Sequence, residues 1–275
     1  WIAQILSQLG DKFLIILTIF MISNYWSNSF SGDFQKPQQT ITLLATGIYL
    51  ANSLPAILFG TIAGIFSDIF PKLKIMIASN ILRAIVVILI PICLIPGPVW
   101  NNVSWGYWFL LVIVFIISSL TQLFTPAEQS SIPLIVNRDK LLAANSLYQA
   151  TTIIAVIIGF ALGEPLIRFM RLMFDSLGMI GGEYYLLPIF YGTASLVLTK
   201  IKLKEKPNHR HTKNVFLEIK TGLSILRRIP IVRRAIIKLI ILYCLMSSLY
   251  ILSIGLASLI PALGPTRFGI LLSFS

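Results

Sequence analysis

Asp11, Arg83, Glu128, Glu164 and Arg168 are ionisable side chains set within or at the ends of long apolar runs of this chain. Charges in such runs are costly, and by default they mark function. Asp11 is a candidate for proton or cation coupling, because a carboxylate among apolar groups is stabilised by gaining a proton or a counter-ion. Its neighbour Lys12 offers the plainer alternative, snorkelling outward and making the two an interfacial pair. Arg83 needs a carboxylate, a carbonyl or a water-filled cavity, and Asp68 and Asp11 are the acids at hand. Glu164 and Arg168 stand at i, i+4, the spacing of a helical ion pair. Glu128 follows Pro126 and reads as a solvated acid near Arg138 and Lys140. Gln122, beside Ser118, Ser119 and Thr121, is a polar anchor for a cargo cavity. His209 and His211, the chain's two histidines, sit together in a basic stretch, and Cys93 and Cys244 both lie in apolar segments. No nucleophile–base set, disulfide framework or metal-ligand spacing results. The sequence is therefore not that of an enzyme, and no cofactor is expected.

The elements that position these residues follow from composition. The chain has 275 residues, 56% hydrophobic and 12% charged, with a mean hydropathy of +0.86. Soluble domains carry about 25% charged residues, so this is an all-α polytopic membrane protein. The formal charge of +12 does not indicate nucleic-acid binding, because apolar runs rather than a polar basic surface dominate. Requiring about 20 apolar residues per crossing predicts seven spans, near 5–26, 42–66, 75–96, 107–125, 144–168, 184–201 and 236–262. The organisation expected is a six-helix bundle over 1–201, a basic loop with an amphipathic helix over 202–235, and the start of a second bundle over 236–275. Residue 1 is Trp, and the chain stops inside the apolar run Phe268–Ser275. The sequence reads as part of a longer polypeptide, with part of an eighth helix.

Alternate connections carry fourteen Lys and Arg on one side, ten of them in 202–235, and at most three on the other. The positive-inside rule places the N-terminus and the 202–235 loop in the cytoplasm, in a bacterial inner membrane or a thylakoid-type internal membrane. Phe216, Leu217, Ile219, Leu223, Ile225 and Leu226 recur at nearly helical spacing, as in a helix lying on anionic lipid.

Small residues from Gly60 to Gly64 precede Asp68, Lys72 and Lys74 between the second and third spans. Small residues let helices approach closely, and Asp68 can cap the helix that follows. Gly159 and Gly163, at i, i+4 in the fifth span, form another smooth face. Gly64 followed four residues later by Asp68 and then by bases resembles the loop between helices two and three of the major facilitator superfamily. Thr125–Val136 with Leu141–Leu147, Ser7–Lys12 and Pro265–Gly269 resemble its branch of macrolide-efflux, enterobactin-exporter and lysophospholipid-transporter proteins. The resemblance implies twelve helices in two bundles. It also implies a gate containing Gly64, Asp68 and Lys72.

The function expected is secondary active export or flipping of amphipathic small molecules or lysolipids by alternating access. Asp11, Arg83 and Gln122 are the coupling or cavity candidates, and Gly159 and Gly163 the packing ones. The expected partners are the lipid bilayer and that cargo. The alternative is a non-transporting subunit or assembly factor of a larger membrane complex, with other membrane subunits as partners.

Overall fold

The computed structural model describes residues 1–26, 37–100, 103–178, 181–201 and 230–259. These form seven α-helices: α1 (Ile2–Met21), α2 (Pro37–Ile69), α3 (Lys72–Val87), α4 (Trp105–Ile135), α5 (Leu141–Ser176), α6 (Leu186–Thr199) and α7 (Pro230–Leu259). A π-helical turn, Ile22–Trp26, extends α1, and a 3-10 turn, Ile90–Leu94, follows α3. Among the described residues six stretches are long and apolar enough to cross a membrane, from Ile2–Trp26 to Pro230–Ser253. The chain is an integral, multi-pass membrane protein.

The remaining predicted span, 184–201, yields the shorter α6. Its 14 residues rise about 21 Å at 1.5 Å each, below the ~30 Å hydrocarbon thickness. The span's first residues are taken by the 3-10 turn Gly182–Tyr185, entered through Gly181 at φ +87°, a conformation open to glycine at no steric cost. Other helices outrun their apolar cores. Helix α4 continues through Pro126 and Pro133 to Ile135, ten residues beyond the predicted end at 125, although each proline removes one intrahelical donor. Helix α7 begins at Pro230, a first-turn position where a missing N–H costs little. Arg233, Arg234 and Lys238 therefore lie on that helix. The rest of the basic loop, its predicted amphipathic helix and the eighth-helix fragment fall outside the described residues.

The principal neighbours are α2 with α4, α3 with α4 and α6, and α1 with α5 and α6, while α7 lies against α2. One apolar core joins α1 to α6 through residues such as Ile16, Ile48, Val87, Leu110, Ile167 and Tyr191. Polar side chains fasten helix to helix inside it. Tyr107 donates to the Leu44 carbonyl at 2.9 Å, and Gly47 leaves room for that ring. Ser118 donates to the Asn52 carbonyl, and the Ser67 and Ser130 hydroxyls pair at 3.0 Å. Between α3 and α4, Val99–Trp100 pairs antiparallel with Val103–Ser104. The Trp105 indole donates to the Ile95 carbonyl at 2.9 Å.

Candidate functional site

Helix α1 carries a polar row at helical spacing, Gln4, Ser7 and Asp11, which reaches α5, α3 and α6. Gln4 donates to the Tyr148 carbonyl at 3.2 Å and to the Thr152 hydroxyl at 3.0 Å, both on α5. Ser7 donates to Asn80 Oδ1 at 2.7 Å. One turn on, Asp11 Oδ1 accepts from the Tyr191 hydroxyl of α6 at 2.7 Å and from Arg83 Nη1 of α3 at 3.4 Å. Asn80 and Arg83 stand at i, i+3 on α3, as Ser7 and Asp11 stand at i, i+4 on α1, so one face of each helix supplies both pairs. Gly10 allows this arrangement: a Cβ there would lie 2.9 Å from Tyr191 Cε1, so only glycine admits the ring whose hydroxyl reaches Asp11.

Arg83 is fully buried, 0% exposed against 22% for the Asp11 side chain. It lies about 16 Å along α3 from Lys72 at 1.5 Å per residue. Of the two acids available from sequence, Asp11 is its partner. The guanidinium carbon is 4.7 Å from the centre of the Phe124 ring and 5.4 Å from that of Tyr191. Two aromatic faces thus support a cation that has left water. Its Nε and Nη2 find no hydrogen-bond acceptor among the described residues.

Lys12 does not pair with Asp11. Consecutive helical residues point about 100° apart, and Lys12 turns toward α5, with Nζ 5.8 Å from the centre of the Phe160 ring. Its Cβ lies 2.8 Å from where a side chain on Gly159 would begin. Gly163, one turn further along α5, is closed in the same way by Ile16 and Phe13. Both glycines thus face α1.

Glu128 is buried rather than solvated, at 6% exposure. It lies one turn beyond Phe124, on the same face of α4, because α4 stays helical through Pro126. The Tyr148 hydroxyl donates to its Oε2 at 2.9 Å. Neither Tyr148 nor Tyr191 stands out in the sequence, since tyrosine in an apolar span reads as packing. The available signal was the i, i+4 spacing of Phe124 and Glu128. Gln122 is half-buried on α4, in the row of Ser118 that faces α2, and it is not brought to Asp11 and Arg83. Glu164 and Arg168 form an i, i+4 ion pair.

The predicted gate occupies the α2–α3 junction. Asp68 is exposed and Lys72 half-buried. Helix α3 has Pro71 at its N-cap, a residue with no side chain able to cap it, and Asp68 lies one turn earlier, near the end of α2. Among the described residues a Cβ on Gly60 or Gly64 would meet nothing within 4 Å.

Toward the same end of the bundle, a cavity of about 440 Å³ opens between α1, α3, α4, α5 and α6. Its wall is mostly apolar, with Gln4, Glu128, Ser131 and Tyr148 supplying the polar groups. Among the described residues no cluster of three or more His, Cys, Asp or Glu could hold a metal.

An all-α membrane bundle with a buried ionic core is the class of molecule this geometry defines. The Major Facilitator Superfamily model matches residues 1–275, the whole chain, and the chain belongs to that superfamily of secondary transporters. Neither curated proteins nor solved structures gave a significant match.

Proposed function

We propose that the protein is a secondary active transporter that exports or flips amphipathic small molecules or lysolipids by alternating access. The observation that carries this reading is the Asp11–Arg83–Tyr191 core, an ion pair held between α1, α3 and α6 at mid-bundle depth. A helical scaffold gains little from such a pair. Its desolvation penalty offsets much of its attraction, and apolar residues of similar volume often do as well. A coupling site, in contrast, needs a charge whose partner can exchange. Gly64, Asp68 and Lys72 form the gate, at the α2–α3 junction, where a Cβ on Gly64 would meet nothing within 4 Å among the described residues. Apolar walls with few polar anchors, as lysolipids require, dominate the bundle.

The test is transfer of a fluorescent lysolipid across proteoliposomes carrying the full-length protein. Transfer several times faster than in protein-free vesicles supports the reading, and equal rates remove the cargo class.

The positive-inside bias puts the Lys72–Lys74 end of the bundle in the cytoplasm and the Trp100 end outside. With Cys93 and Cys244 replaced by serine, an impermeant maleimide should label a Trp100→Cys variant in intact cells. It should label Lys74→Cys only after permeabilisation. The reverse pattern would invert the orientation.

A further inference from the structure

The cavity of about 440 Å³ lies inside the six-helix bundle, lined by five of its helices. Every residue of its wall belongs to that bundle. Its chemistry is one-sided. Both Gln4 amide protons are used, on the Tyr148 carbonyl and the Thr152 hydroxyl. The Ser131 hydroxyl donates to the Glu128 carbonyl at 2.7 Å, and the Tyr148 hydroxyl to Glu128 Oε2 at 2.9 Å. Apart from Trp1, half-exposed at the rim, the side-chain donors of the wall are spent. What remains is acceptor capacity. The Glu128 carboxylate has about four lone-pair positions, and the Tyr148 hydroxyl is the one side-chain donor shown on it. Arg83, the nearby cation, pairs with Asp11 through Nη1 and makes no ion pair with Glu128 among the described residues. Met76, Ile132 and Leu198 make the rest of the surface apolar.

We propose that this cavity is an accessory binding site for a small monocationic amphiphile, an alkyl or arylalkyl ammonium whose N–H groups donate to Glu128 while its body fills the apolar wall. A neutral amphiphile would bring the carboxylate no charge, and an anionic one would meet it as a like charge. The volume lies in the 300–1,000 Å³ range of drug-sized pockets. The site is independent of the transport reading, since it requires binding and not movement.

The probes are 4-phenylbutylamine, 4-phenylbutanol and 4-phenylbutyrate, which share one body and carry positive, neutral and negative heads at pH 7. Each is titrated by calorimetry into full-length protein in nanodiscs, with empty discs subtracted. The amine should bind about tenfold more tightly than the alcohol, the size expected of one charge-assisted hydrogen bond. The acid should bind most weakly. Glu128→Gln should erase the preference of amine over alcohol. Tyr148→Phe frees Oε2 and should keep that preference, so the site stays testable if Glu128→Gln fails to fold. Met76→Trp should fill the cavity and weaken amine and alcohol alike. Equal binding of amine and alcohol, an undiminished preference in Glu128→Gln, or loss of the preference in Tyr148→Phe would each overturn the assignment. Lysolipid transfer without amine binding would overturn this site and leave the transport reading standing. Amine binding without transfer would do the opposite.

Discussion

Replacing Asp11 by alanine should destabilise the folded bundle by about 3–5 kcal/mol, the range for removing one partner of a buried ion pair. The cost arises mainly on Arg83. That side chain is 0% exposed, already has two nitrogens without an acceptor among the described residues, and would lose its carboxylate. Tyr191 would lose the acceptor of its 2.7 Å hydrogen bond in the same step. Removing the cation as well should restore most of the loss. The double variant Asp11→Ala, Arg83→Met leaves an apolar side chain between the Phe124 and Tyr191 rings and no uncompensated charge. Unfolding midpoints of the full-length parent, the single variant and the double variant in detergent would measure this. A double variant as unstable as Asp11→Ala would show that the pair is not what the position requires.

A large group on Gly159 should be the second severe lesion, at about 2–3 kcal/mol, the upper part of the overpacking range. A Cβ there would begin 2.8 Å from Lys12 Cβ and 3.1 Å from its Cγ. These atoms sit close to the α1 backbone and cannot swing aside as a side-chain tip would. Gly159→Leu must therefore separate α1 from α5 and loosen the Gln4 bonds to Tyr148 and Thr152. Gly64→Ala is the contrast. Its Cβ would meet nothing within 4 Å among the described residues, and alanine gains up to about 1 kcal/mol over glycine in a helix interior. We expect its unfolding midpoint to equal or exceed the parent's, so any transport defect in Gly64→Ala would report on gating rather than folding. Equal stabilities of Gly159→Leu and the parent would contradict the close α1–α5 contact.

Apolar runs about 20 residues long announced the membrane bundle, because no other environment favours such segments. The ends of the helices were hidden, since hydropathy tracks the lipid core and not the hydrogen-bond ladder. That is why α4 passes Pro126 and Pro133 unnoticed, and why Glu128 looked like a loop acid. Asp11 and Arg83 were visible as charges in apolar runs, and their pairing was one of two open choices. Sequence alone cannot set the register between α1 and α3 that settles it. Tyr148 and Tyr191 were not legible, because a tyrosine hydroxyl that orients a carboxylate and one that caps a packed ring look alike in sequence. The separation of Asp11 from Lys12 was legible in principle: neighbours on a helix face different directions, and an adjacent acid and base are poorly placed to pair.

The most direct test of a gated transporter is the initial rate of lysolipid transfer in proteoliposomes holding equal amounts of the full-length parent or Asp68→Asn. Asp68 is exposed, so its amide should leave the folding stability within about 0.5 kcal/mol of the parent's. We predict a transfer rate about tenfold lower, with the midpoint unchanged. Equal rates for the two proteins would contradict the gate and remove Asp68 from the mechanism.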